Sequence, residues 1–174
     1  MDNFNPIITD PIIGWRKRPA TGLSDGALNA MTVDVEDYFQ VEAFAPHIGR
    51  HEWDRRECRV EANVDRILRL FADADTKATF FTLGWVAERY PALVRRIVDN
   101  GHELASHGSA HFRADHQSRP QFLADVTRAK AILEDIGGVA VNGYRATSFS
   151  ITRRNLWALN VLDEAGYKYS SSTF

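Results

Sequence analysis

Apolar positions along the chain switch repeatedly between strand-like runs and helical spacing. Residues 1–27 carry Pro, Gly and Asp without sustained periodicity, and Arg16, Lys17 and Arg18 form a short basic run, so this stretch predicts an extended or mobile tail. From Leu28 a short apolar run ends in acids, the pattern of a buried strand over 28–35 that emerges at a site. Residues 38–61 read as a loop bearing exposed aromatics, among them Tyr38, Phe39, Phe44 and Trp53. Val64, Ile67, Leu68 and Phe71 then share one helical face with Asn63 placed to cap it, and 77–83 follows as a second buried strand. Pro91 opens a helix carrying Leu93, Val94, Ile97 and Val98 that stops at Gly101, before a strand over 102–106. Residues 120–136 space Phe122, Val126, Ala129, Leu133 and Ile136 helically until Gly137 and Gly138 end the run. Residues 139–145 read as the fourth strand. Thr152 can cap a helix bearing Leu156, Leu159 and Leu162, and 167–170 is the fifth strand.

Five strands separated by helices imply right-handed βαβ crossovers and a parallel sheet with its helices outside. The fold class expected is α/β, the start of a (β/α) barrel. A complete barrel has more than five units, so 28–174 is expected to be the N-terminal part of a domain in a longer protein.

Composition narrows the function classes. The 174 residues, 44% hydrophobic, suit one domain with an ample core. Charged residues make up 25% of the chain and the formal net charge is −2, which gives no field favouring nucleic acid or anionic lipid. Cys58, the single cysteine, cannot form an internal disulfide or a thiolate metal cluster. The N-terminus lacks a basic region followed by an apolar one, and no apolar run approaches a transmembrane length, so a cytoplasmic protein is expected.

In a parallel barrel the strand C-termini share one rim, where residues distant in sequence converge. Asp34, Glu36 and Asp37 follow the first strand, Thr82 ends the second, His107 and His111 follow the third, Arg145 ends the fourth, and Ser171 and Ser172 follow the fifth. A His-x-x-x-His pair is weak evidence alone. Here the first histidine directly follows a strand, and small residues Gly108, Ser109 and Ala110 let the chain turn so that both imidazoles can face one cation. Strand alternation puts Asp34 and Glu36 on one side. One acid would complete the metal site while another accepts a proton. Arg145 can orient the catalytic aspartate by charge pairing. His102, at the start of its strand, reads as structural, and His47, His51 and His116 lie in loops without informative spacing.

The segments Thr32-Val33-Asp34-Val35-Glu36-Asp37, Ala78-Thr79-Phe80-Phe81, 101–111 and Gly143-Tyr144-Arg145-Ala146 resemble motifs of the polysaccharide deacetylases of carbohydrate esterase family 4, the NodB-homology group. The resemblance runs from about Met31 to Phe174. Within that group, 34–40 and 145–151 are most similar to deacetylases of bacterial exopolysaccharide and exosortase loci. The resemblance implies that Asp34 is the general base and that His107 and His111 bind a divalent metal, typically zinc. The usual motif has adjacent acids, whereas Val35 intervenes here, so either Glu36 or Asp37 takes the third ligand position; strand parity favours Glu36, and a bulge would favour Asp37. Thr147 stands where the family usually has proline. The family's catalytic acid histidine belongs to later motifs and is expected beyond Phe174, so the chain alone is expected to be inactive. The implied activity is hydrolytic removal of N-acetyl groups from sugars of a polysaccharide, in exopolysaccharide biosynthesis, with Tyr38, Phe39 and Trp53 as a sugar platform or as core. Two alternatives stand beside it: an allantoinase-like amidohydrolase acting on a small cyclic amide, and a non-catalytic carbohydrate-binding or scaffold domain.

Overall fold

A computed structural model describes residues 30–172. The expected tail at 1–27 and the first positions of the 28–35 strand lie outside the described residues. Five strands, β1 (Met31–Val35), β2 (Ala78–Thr82), β3 (Glu103–Ser106), β4 (Gly143–Tyr144) and β5 (Tyr169–Ser170), form one parallel sheet in the order β1-β2-β3-β4-β5. Each neighbour in sequence is a neighbour in the sheet, as successive βαβ units require. Among the described residues the sheet is open, with β1 and β5 at its edges, consistent with an incomplete (β/α) barrel.

Five helices connect the strands: α1 (Val60–Asp73), α2 (Gly84–Arg89), α3 (Pro91–Asp99), α4 (Arg119–Gly137) and α5 (Trp157–Glu164). Val60, Val64, Leu68 and Phe71 repeat at helical spacing and bury the inner stripe of α1 against Val35, Ala78 and Phe80. Leu104, Phe122, Val126, Leu133, Tyr144, Val161 and Tyr167 build a second core cluster under α4 and α5. Residues of the opposite sheet face are partly polar: Thr79 Oγ1 and Tyr169 Oη both donate to Glu103, at 2.6 and 2.7 Å. Tyr169 reaches this position because Gly143 has no side chain; a Cβ there would lie 2.2 Å from the tyrosine ring. Among the described residues no helix is long and apolar enough to cross a membrane.

Several local expectations are corrected. The fourth strand shrinks from 139–145 to two residues because side chains of α4 capture the backbone at Val141: its N–H donates to Glu134 Oε1 at 3.0 Å, and its carbonyl accepts from Lys130 Nζ. Phe39 and Trp53 are not exposed. Three short 3-10 turns (Tyr38–Gln40, Glu42–Phe44 and Arg50–Arg55) fold this segment so that both rings pack with each other and with Trp85, at centroid separations of 5.7 to 6.0 Å. Tyr38 and Phe44 remain 38% and 42% exposed. Helix α2, which sequence spacing did not announce, carries Trp85 into that cluster. Asn63 lies inside α1 rather than at its cap, since the helix starts at Val60.

Candidate metal centre

Backbone pairing carries each chain crossing straight from strand to rim. His107 N donates to Thr82 O at 3.0 Å, Arg145 N to Ser106 O at 2.9 Å and Ser171 N to Tyr144 O at 2.9 Å, so these residues begin where their strands end. Glu36 follows Val35 on the same edge.

There Glu36, His107 and His111 converge, with one donor atom from each lying within 4.8 Å of the others. Glu36 Oε2 is 3.0 Å from His111 Nε2 and 3.7 Å from His107 Nε2. A tetrahedral ion with ligand bonds near 2.1 Å separates its donor atoms by roughly 3.4 Å, between those two distances. The buried Oε2 makes no hydrogen bond of acceptable geometry despite the short approach of His111. An orphaned carboxylate oxygen facing two imidazole nitrogens is the donor set a divalent cation satisfies. His107 is buried, and its Nδ1 lies 2.9 Å from the carbonyl oxygen of Arg145. That contact assigns the proton to Nδ1 and leaves the Nε2 lone pair for a metal.

Burial pushes the His107 imidazole below its ordinary value, against the opposing pull of Asp34 and Glu36. For Glu36 burial pushes upward, but contact with His111 and the nearby His107 ring outweigh it and hold the carboxyl below the usual range. Both shifts favour the forms that bind cations.

Asp37 sits elsewhere. Its Oδ1 accepts from Tyr38 N at 2.9 Å, and its Oδ2 accepts from Arg59 N at 2.5 Å and Val60 N at 3.0 Å. Considered as the alternative third ligand, it instead caps the start of α1 from 22 residues upstream, and no bulge brings it to the histidines.

Asp34 belongs to the same rim but to a different contact. Its Oδ1 receives Arg145 Nη1 at 2.7 Å. Arg145 is fixed by Ser171 Oγ at 2.9 Å and Thr32 Oγ1 at 3.2 Å, and its guanidinium lies 4.1 Å from the Phe81 ring centroid. Asp34 Oδ2 accepts nothing from the described residues, and a 29% exposed side chain leaves it open to water. Ser172 Oγ accepts from Ala146 N at 2.8 Å, bracing the turn after β4. Thr82 is buried, and its hydroxyl donates to Phe80 O of its own strand.

Sequence reasoning missed the supports of the histidine loop. Gly108 takes a positive φ of 81°, and Ser109 donates from both N and Oγ to Asp125 Oδ1 of α4. Burial pushes the Asp125 carboxyl up against the downward pull of those bonds. An acid among Phe122, Val126 and Ala129 on the buried face of a helix was the available signal. Cavities of about 510 and 690 Å³ flank the chain after His111 and share Gln117; the first includes Phe112, Gln121 and Arg128, the second Arg153 and Trp157.

A family model described as polysaccharide deacetylase matches residues 52–170, which includes His107, His111 and Arg145 but starts after Asp34 and Glu36. The chain is 28% identical over 116 residues to a peptidoglycan deacetylase of Helicobacter pylori, covering 64% of this chain and 37% of that protein. It is 30% identical over 94 residues to a peptidoglycan-N-acetylglucosamine deacetylase of Bacillus cereus, covering 53% and 34% respectively. It thus spans little more than a third of the length of these relatives. A solved structure of a Mycobacterium smegmatis protein, provisionally described as a polysaccharide deacetylase, aligns with a TM-score of 0.63 at 28% identity, covering 82% of this chain and 50% of that one. A CE4 family pseudoenzyme from Bacillus anthracis aligns at 0.60 with 18% identity over 81% of this chain and 41% of its own, a likeness of fold alone.

Proposed function

Because the chain belongs to the polysaccharide deacetylase family, we propose that its rim site serves the metal-dependent removal of N-acetyl groups from sugars of a polysaccharide. The observation that carries this reading is the meeting of Glu36, His107 and His111 on the same strand edge as the Asp34–Arg145 pair. Glu36, His107 and His111 would hold the cation, with zinc the expected ion; when bound, it supplies positive charge that polarises an acyl oxygen and makes water more acidic. Asp34 accepts the attacking water's proton at Oδ2, the oxygen that Arg145 leaves free. Arg145, itself held by Thr32 of β1 and by Ser171 after β5, keeps the Asp34 carboxylate in one orientation. Water adds to the acyl carbon, the C–N bond breaks, and the products are acetate and a free amine.

The curated relatives, named as peptidoglycan deacetylases, support a polymer over a small cyclic amide. The branch resemblance at 34–40 and 145–151 supports an exopolysaccharide as the first polymer to assay, and the curated relatives named for peptidoglycan support N-acetylglucosamine polymers as the second. The test is acetate release from N-acetylated oligosaccharides and peptidoglycan by the full-length protein, with zinc and after chelation. Chelator-sensitive release supports the reading, and zinc binding without release from any acetylated sugar would point to a binding domain.

A further inference from the structure

We propose that Arg50 is a positioning residue for the metal site, locking His111 in the left-handed backbone conformation from which its Nε2 meets Glu36 and His107. The inference deepens the metal-site reading and rests on it. His111 has φ of 53°, a region that non-glycine residues occupy only when their surroundings hold them there. All four carbonyls of the loop 108–111 have donors. Gly84 N and Trp85 N, at the start of α2, take Gly108 O and Ser109 O at 2.9 and 2.8 Å. Ala110 O and His111 O depend on one side chain, receiving Arg50 Nε and Nη2, both at 2.8 Å.

Those two carbonyls belong to the two peptide planes that flank the His111 Cα. Fixing both planes fixes φ and ψ of the residue between them, because the peptide units themselves are rigid. Among the described residues no other group donates to either oxygen. The guanidinium is held for the task, with its Cζ 4.2 Å from the Phe112 ring centroid and 5.7 Å from that of buried Trp53. A planar fork suits paired carbonyls, whereas an ammonium cannot span them in one geometry.

Zinc affinity of the full-length protein, measured by competition with a chromophoric chelator and by the cobalt(II) absorption spectrum, tests the proposal. Arg50→Ala is expected to weaken zinc binding about 10- to 100-fold and to alter the cobalt spectrum, with partial recovery on adding guanidinium ion. Arg50→Lys should remain at least about tenfold weak, since it keeps the charge but not the fork. Arg56→Ala, which removes a surface arginine paired with Glu52 on the same segment, should stay within about twofold of wild type. Wild-type zinc affinity and an unchanged cobalt spectrum in Arg50→Ala would overturn the proposal, as would an equal loss in Arg56→Ala. If Arg50→Ala fails to fold, Arg50→Lys decides, and wild-type affinity there overturns it. A wild-type protein that takes up neither zinc nor cobalt would sink the metal-site reading itself, and this proposal with it.

Discussion

His107 and Arg145 are joined through backbone: the histidine's Nδ1 lies 2.9 Å from the arginine's carbonyl oxygen, while the arginine's side chain reaches the other way to Asp34 at 2.7 Å. One residue thus orients a candidate metal ligand with its main chain and the candidate base with its side chain. The two duties are separable by mutation.

Arg145→Gln keeps the carbonyl that His107 needs but loses the grip on Asp34. Zinc uptake should stay near wild type while acetate release by the full-length protein falls about 10- to 100-fold, the scale expected for a misplaced catalytic group. Zinc titration beside a turnover assay checks this. A parallel loss of zinc would mean that the guanidinium also supports the ligands.

Glu36 and Asp37 should give opposite phenotypes. Glu36→Ala removes a donor atom of the three-residue cluster, and elemental analysis should find zinc largely gone. Asp37→Ala strips three backbone N–H groups of their acceptor and should cost about 1–3 kcal/mol of stability while zinc is retained. Denaturant titration measures the second effect. Zinc loss confined to Asp37→Ala would reverse the assignment.

Asp34→Asn preserves shape but not proton affinity. Full-length protein carrying it should bind zinc normally and lose about 10²- to 10⁴-fold in acetate release, the range of general-base contributions. Near-normal turnover would place the base elsewhere on the rim.

Acid should weaken the metal-free protein in a defined direction. The His107 value in the fold lies below its ordinary 6.5, so the unfolded chain takes up a proton that the folded chain refuses, and stability falls as pH drops through 6.5 toward the folded value. Glu36, held below 4.5, contributes stability above 4.5 that disappears as pH falls through its folded value. Thermal melts of apo-protein from about pH 7.5 downward should therefore decline, and His107→Gln should flatten the part near 6.5. A wild-type slope in His107→Gln would remove His107 from the effect.

The parallel sheet and its rim were legible because strand runs, glycine stops and helical spacing all fall in order, and parity already placed Asp34 with Glu36. The role of Asp37 was not, since its partners Arg59 and Val60 lie 22 and 23 residues away and leave no local pattern. Arg50 was hidden for the same reason, in an irregular segment where no period marks a side chain as inward. The fourth strand was overestimated because Val139, Ala140 and Val141 look apolar enough for a sheet, yet Val139 is exposed and α4 satisfies the backbone at Val141. Asp125 was readable as an acid on an apolar face.

The Asp34–Arg145 pair also constrains the order in which the molecule assembles. The two residues stand 111 apart, Asp34 in β1 and Arg145 directly after β4, with β2 and β3 laid between them. Strand additions in chain order close short loops, whereas this pair closes a long one and gains nothing until both intervening strands are in place. Its formation is therefore expected late in folding, and a kinetic probe of the pair should lag behind burial of the Phe80 core.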